Sequence, residues 1–453
     1  MTDARRNLPS VSALLERAGV RALLDRAPRE LVTDAIRAVL DAARRDPAAS
    51  PDADAWEAHI TSEVDRRERP SLVPVINATG IVLHTNLARA PLAEPAIAAI
   101  AATASGYANL EYDLAKGERG SRYVHCVGLL TELTGAEDAL VVNNCAGALV
   151  LALAATACGG TSIVSRGELI EIGGGFRVPD IMAASGTRLV EVGTTNRTRV
   201  GDYAAAITPE TGALVKIHRS NFTIEGFVAE ATTRELAALA RERGVPLIED
   251  FGSGLMVSLA ALGLTGEPTV REVVANGASL VLMSGDKLMG GPQAGIILGT
   301  RDLVARLRAH PLARSYRVDK LTIAALGATL ALYRDPPRAM REIPVLAMLA
   351  TPVEALDARA GRMAEALRRT GIAADVVPTE SAVGGGAYPT ARLASRAVAL
   401  PGRADALEAR LRMHDVVARI ADGRVLLDLR AVRASQDDAL QAAARAACAE
   451  SAT

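Results

Sequence analysis

The stretch Ser284-Gly-Asp-Lys-Leu-Met-Gly-Gly-Pro-Gln-Ala-Gly295 decides how the rest of the chain is read. It lies between two apolar runs, Ser279-Leu-Val-Leu-Met283 and Ile296-Ile-Leu-Gly299, whose length and aliphatic content suit buried strands. Lys287 therefore falls just past a strand end, in a turn whose glycines allow close approach of backbone or ligand. A lysine so placed is suited to covalent work through its amine, and Ser284, three residues earlier, can bond a phosphate. The competing reading is a strand followed by an ordinary surface turn. Composition narrows the choice, because of 51 lysines and arginines only Lys116, Lys216, Lys287 and Lys320 are lysines.

Upstream, strands and helices alternate. Ala139-Leu-Val-Val142, Thr161-Ser-Ile-Val164, Arg188-Leu-Val-Glu-Val192, Ala213-Leu-Val-Lys-Ile217 and Val245-Pro-Leu-Ile-Glu-Asp250 read as strands. Thr232-Thr-Arg-Glu235 is a capping box that opens a helix ended by Gly244. In open α/β sheets, ligands bind at the carboxyl ends of the strands. Asn143-Asn-Cys-Ala-Gly-Ala148 turns from a strand into a helix, so the N–H groups around Cys145, Ala146 and Gly147 form a cradle for a phosphate. Cys145 has no adjacent histidine and reads as a small packing residue rather than a nucleophile. Three polar groups then follow successive strands, Asn221, Asp250 and Lys287, spaced by 29 and 37 residues. Pyridoxal phosphate (PLP) chemistry uses each of them. Asp250 would keep the pyridine nitrogen protonated, Asn221 would bond the ring hydroxyl, and Lys287 would form the Schiff base and move protons. The expected fold is α/β, that of the aminotransferase-like PLP enzymes of fold type I, with a mostly parallel sheet in the large domain.

The chain divides on this reading into a helical N-terminal domain (1–69), a large PLP-binding domain (70–334) and a small α+β C-terminal domain (335–453). Pro28 and Pro47 act as breakers in the first part, and twelve arginines against thirteen acids there do not make a basic arm. Its closing charge run, Glu63 to Arg69, reads as a solvated helix end. Asp335-Pro-Pro337 stops a helix and marks the edge of the last domain, where Thr351-Pro-Val-Glu354 predicts a second capping box. Asp422-Gly423 predicts a hairpin turn. Gly384-Gly-Gly386 is a flexible loop that either reaches the active site or serves only as a turn. The last helix, Asp437 to Ala447, leads to a frayed tail. Hydrophobic content of 49% and charged content of 23% describe a soluble globular protein. No apolar run reaches membrane-spanning length, and Met1-Thr-Asp-Ala-Arg-Arg-Asn7 lacks the apolar core of a signal peptide. The four cysteines have no CxxC spacing, which argues against a metal site and for a reducing cytoplasm. A net charge of −1 does not announce a nucleic-acid binder, although local patches can serve. Arg314 and Arg317, if helical, share a face suited to an oxyanion. Arg89 sits in the segment leading to the first helix of the large domain, and Tyr107 to Tyr123 is a long polar loop of the kind that carries function.

Nearly the whole chain resembles the bacterial selenocysteine synthases. The resemblance rests on Leu8-Pro-Ser10, Ile76-Asn-Ala-Thr-Gly80, Thr85-Asn-Leu-Ala-Arg-Ala-Pro-Leu92 and Tyr112 to Tyr123. It continues through Ile170 to Asp180, Gly193-Thr-Thr-Asn-Arg197, Asp250-Phe-Gly-Ser-Gly254 and, most specifically, Ser284 to Gly295. It implies that Lys287 carries PLP and that Asp286, Arg89, Arg314 and Arg317 form a selenophosphate pocket. It also implies conversion of seryl-tRNA(Sec) to selenocysteinyl-tRNA(Sec) through an aminoacrylyl intermediate, tRNA docking by the N-terminal domain, and a ring-shaped homodecamer built from five dimers. Cys145 and Gly147 stand where small residues such as Ala are usual. Ser315-Tyr316 replaces a small or aliphatic pair, and Arg219 replaces a small hydroxyl residue, with an effect on the pocket left open. A PLP lyase of a small amino acid or amino-sugar acid is the principal rival, and a tRNA-binding scaffold without catalysis is the other.

Overall fold

The computed structural model describes residues 8–46 and 50–449. The expectations for Met1 to Asn7, the breaker Pro47 and the tail after 449 lie outside the described residues. The chain forms two compact units, one ending at Pro74 and one beginning at Val75. In the first, the helices Val11–Leu15, Ala18–Leu23, Arg29–Arg45 and Trp56–Glu68 bury Leu14, Val32, Ile36, Leu40, Trp56 and Ile60 in a core of their own. Glu63 bonds Arg66 and Arg67 on the surface of the last helix. Those hydrogen bonds hold its carboxyl down at about 2, so the charge run ties itself together.

The second unit is built on two sheets. Its strands are β1 (Ile76–Ala78), β2 (Ile81–Leu83), β3 (Asp138–Val142), β4 (Thr161–Ser165), β5 (Arg188–Val192), β6 (Thr211–Ile217), β7 (Leu247–Gly252), β8 (Leu280–Ser284), β9 (Gly295–Gly299), β10 (Asp375–Gly384), β11 (Leu393–Leu400), β12 (Val416–Ala421) and β13 (Arg424–Asp428). The large sheet has the order β3-β9-β8-β7-β6-β4-β5. Only β9 runs against the rest, so the carboxyl ends of the other six strands share one edge. β8 is buried along its whole length, as its unbroken aliphatic run requires. The helix Cys145–Ala157 follows β3, and Thr232 and Glu235 close the expected capping box before the helix Thr233–Arg243.

The small sheet, β1-β12-β13-β11-β10-β2, takes two strands from residues 76–83, which the sequence assigns to the large domain. Asp335 follows the end of the helix Lys320–Leu332, as expected. It caps a new helix, Pro336–Glu342, and the residues that follow it, Ile343, Leu346 and Leu349, pack in the core beneath the large sheet. The capping box expected at Thr351–Glu354 does not form. The Thr351 hydroxyl turns back to the Ala347 carbonyl, and Pro352, which has no side-chain donor or acceptor, caps the helix Val353–Arg369. Asp422 and Gly423 both take positive φ, 51° and 69°, in keeping with the predicted hairpin turn. Among the described residues no helix is long and apolar enough to cross a membrane.

Candidate active site

β7 delivers Asp250, which is half-buried, and the turn after β8 delivers Lys287, which is buried. A Cβ built on Gly252 would lie 3.6 Å from Lys287 Nζ and 3.8 Å from Asp250 Oδ1, so the amine and the carboxylate flank one glycine. On the other side, a Cβ on Gly386 would come within 2.5 Å of Lys287 Cδ and 2.8 Å of Nζ. No side chain fits there, which answers the open question about the triple glycine: Gly386 lies directly against the lysine. At Gly254, with φ of 69°, a Cβ would strike the Ser284 carbonyl at 2.6 Å. The glycines at 252, 254 and 386 are thus conditions for bringing this backbone up to Lys287.

The helix Cys145–Ala157 points its N-terminus at the same place. Asn144 caps it by accepting from Gly147 N at 2.7 Å. Cys145 and Ala146 are in its first turn, where N–H groups have no acceptor inside the helix. The Cys145 thiol donates to Asp250 Oδ1 at 3.4 Å and lies within hydrogen-bonding reach of Ser284. Burial and the Asp250 charge push this thiol well above its ordinary range, so it is a protonated donor and not a nucleophile. Burial pushes the Asp250 carboxyl up as well, while Lys287, the Cys145 thiol and His218 pull it down. Tyr316 seats this corner: its carbonyl accepts from Asn143 N at 3.0 Å, and its ring edge would be 3.4 Å from a Gly147 Cβ.

Asn221 lies four residues past the end of β6, not at the strand end itself. It is exposed, and its Nδ2 donates to the Glu171 carbonyl at 2.7 Å. Arg219 bonds Glu230 at 2.7 Å and so turns toward a neighbouring cavity.

Arg89 and Asp286 meet across 197 residues of sequence, with Nη1 2.6 Å from Oδ2. Ala88 and Arg89 both take left-handed φ, 63° and 59°, a conformation costly for residues with a Cβ and typical of functional positions. Arg314 and Arg317 do not share a helix face. The helix Pro311–Ser315 stops between them, and Arg317 is extended, bridging to Val142. They nevertheless line one cleft of about 350 Å3 together with Arg119, Arg122, Arg308 and Glu111. Glu111 takes Arg122 at 2.5 Å, with Arg119 and Arg317 at 3.4 and 3.5 Å. These pairings, Arg122 above all, hold its carboxyl below the ordinary range. Arg119, Arg122, Arg308 and Glu111 are the members that sequence reading missed. The only signal for three of them was their place in the long polar loop before Tyr123.

The chain matches the family described as SelA, L-seryl-tRNA selenium transferase, over residues 75–433. The chain belongs to the L-seryl-tRNA selenium transferase family. Residues 5–44 match the N-terminal region of selenocysteine synthase. The L-seryl-tRNA(Sec) selenium transferase of Moorella thermoacetica is 49% identical over 448 residues, 96% of this chain and 95% of that protein. The enzyme of the same name from Hyphomonas neptunium is 49% identical over 444 residues, 95% of this chain and 96% of that protein. Among solved structures, D-glucosaminate-6-phosphate ammonia-lyase superposes with a TM-score of 0.58 at 21% identity, covering 86% of this chain and 99% of that one. The fold of this transferase family member is thus the α/β fold of the type I PLP-dependent enzymes, as expected from the strand-end series.

Proposed function

We propose that this protein converts seryl-tRNA(Sec) to selenocysteinyl-tRNA(Sec) with selenophosphate as the selenium donor and PLP as the cofactor. The observation that carries this reading is the convergence of Lys287, Asp250 and the Cys145 helix start in a chain of this family. The residues fit the cofactor. Lys287 offers a buried amine for its aldehyde carbon. Asp250 has one oxygen engaged by Cys145, which leaves the other for the pyridine nitrogen. The N–H groups of Cys145, Ala146 and Gly147, with Ser284 Oγ, suit its phosphate. Asn221 would reach the ring hydroxyl by giving up its bond to Glu171.

When bound, PLP supplies an electron sink for the charge left at the serine Cα. Lys287 Nζ is the group placed to take the Cα proton and to protonate the departing serine hydroxyl, so that water leaves. The selenium of selenophosphate would then add to the β-carbon, a proton would return to Cα through Lys287 Nζ, and water would cleave the Se–P bond and release phosphate. Asp286, held by Arg89, stands beside the lysine to orient the donor. Arg314 and Arg317 grip its oxyanion, in a cleft whose walls include neither Asp286 nor Lys287. Association of subunits into a decamer, a pentamer of dimers, would join the two regions. The helical unit docks the tRNA, and the reaction belongs to the cytoplasm.

The test is to supply the PLP-loaded protein with seryl-tRNA(Sec) and selenophosphate. Formation of selenocysteinyl-tRNA is expected. Release of pyruvate or ammonia from a small amino acid, with no selenium transferred to tRNA, would favour the lyase reading instead.

A further inference from the structure

A cavity of about 890 Å3 lies beside the cofactor site, within the size range of ligand pockets, about 300–1,000 Å3. In the sheet Lys216 is in register with Glu249, and Ile217 with Asp250. Successive side chains alternate faces, so Glu249 enters this cavity on the face opposite Asp250. The cavity is linked to the cofactor site through His218, which lines it and acts on the Asp250 carboxyl. Gly252 and Gly386 flank Lys287, and their near neighbours Phe251 and Tyr388 are in the cavity wall.

Two carboxylate oxygens in this wall wait for donors. Glu249 Oε1 accepts from Thr233 at 3.0 Å, but Glu249 Oε2 is buried without a partner. Glu267 Oε2 faces His218 Nε2 at 3.2 Å, but Glu267 Oε1 is buried without a partner. Both side chains are more than nine-tenths buried. Leaving such oxygens unbonded is costly, which points to a ligand carrying N–H donors. Phe222 and Tyr388 add aromatic surface, and Arg219 and Arg234 add cations at the same cavity. Aromatic faces, carboxylate acceptors for exocyclic amines and arginines for phosphates are together the chemistry of single-stranded RNA recognition.

We propose that this cavity receives the 3′-terminal nucleotide of the tRNA substrate. The inference rests on the reading that the substrate is an aminoacyl-tRNA. In such a substrate the reacting serine is esterified to the terminal ribose, so that nucleotide lies one ester bond away from the serine at the cofactor site. The base stacks on the aromatic surface and its exocyclic amine donates to Glu249 or Glu267. Arg234, bonded only to Asn276 at 3.4 Å among the described residues, is free to meet a phosphate. Burial lifts the Glu249 carboxyl to about 7, so near neutrality it can also donate to a ring nitrogen.

The test uses the full-length, PLP-loaded protein and tRNA(Sec) carrying 8-azidoadenosine at its 3′ end. After photolysis the crosslinked peptides are mapped, and tRNA retention is measured on the same sample. Crosslinks within 219–234 or 388–391 are expected, reduced about fivefold or more by Phe222→Ala and by Glu267→Gln with the visible cofactor band unchanged. Should either variant fail to fold, Arg234→Ala, at an exposed residue, is expected to show the same loss. Retained tRNA with crosslinks confined to other segments overturns the assignment alone. No retention of tRNA by the wild type overturns both the assignment and the tRNA-substrate reading.

Discussion

The pocket around Lys287 and the cleft around Glu111 use charge in opposite ways. The first holds one buried amine and one half-buried carboxylate, with glycines and small residues pressed against them. The second lines one cleft with Arg119, Arg122, Arg308, Arg314 and Arg317; Glu111 takes Arg119, Arg122 and Arg317, Asp138 takes Arg308, and Arg314 is exposed and makes no ion pair among the described residues. A group that stays in place through many turnovers is held by burial and near-balanced charge. An oxyanion that must arrive and leave is better met by an open site with cations in excess. The Arg89–Asp286 pair belongs to the first kind, since its charges are already matched at 2.6 Å.

The largest effect that would sharpen this contrast is expected at Asp250. Asp250→Asn should lower turnover about 100-fold or more while selenophosphate KM changes little, because it removes charge stabilisation and not donor binding. Equal turnover would place the carboxylate outside the chemistry. Deletion of residues 1–69 should abolish retention of tRNA(Sec) on filters and leave the cofactor absorption in place; retained binding would remove the docking role of the helical unit.

In the arginine cleft, Arg314→Ala and Arg317→Ala should each raise selenophosphate KM about 10-fold or more, the cost of a charge-assisted hydrogen bond. PLP absorption should persist, and unchanged rates at low selenophosphate would detach the cleft from the donor. A smaller effect is expected at Cys145. Its thiol is a weak donor, so Cys145→Ala should weaken PLP binding only about three- to tenfold, with Cys145→Ser closer to wild type. Equal affinities for all three would leave the thiol no part in setting Asp250.

The two carboxylates should also move stability in opposite directions with pH. Asp250 is raised in the folded state by burial, so in the PLP-free protein its contribution is lost as pH climbs from the ordinary carboxylate range through the raised value. Asp250→Asn should therefore stabilise the apo protein at neutral pH and lose that advantage in acid. Glu111 is lowered by Arg122, so its contribution is present at neutral pH and disappears as pH falls through the lowered value. Glu111→Gln should be the less stable form at neutral pH, converging with wild type in acid. Denaturant unfolding across pH that gave both variants the same sign would break the comparison.

Reading the sequence went furthest where local rules govern. β8 and β9 are uninterrupted aliphatic runs, and Thr232 with Glu235 forms its cap from neighbours three residues apart. Lys287 and Asp250 stood out because a strand end fixes where a side chain points. Most of the misses are long-range, and a few are local competitions. β1 and β2 are short strands whose partners come from residues 416 and 382 onward. Thr351 could accept from the Glu354 N–H or donate to the Ala347 carbonyl four residues back, and the preceding helix took it. Glu111 gathers arginines from positions 119 to 317, a grouping that no spacing along the chain encodes. Asp286 stands out only through the family resemblance, because its partner Arg89 lies 197 positions away.

The central claim is that Lys287 is the residue that holds the cofactor. Its most direct measurement is the visible absorption spectrum of wild type and Lys287→Ala after saturation with PLP and removal of the excess. The wild type should keep a protein-bound band that shifts on borohydride reduction, with the reduced cofactor recovered on the peptide containing Lys287. The variant should show no covalent label. A colourless wild type, or a label recovered on Lys116, Lys216 or Lys320, would contradict the account.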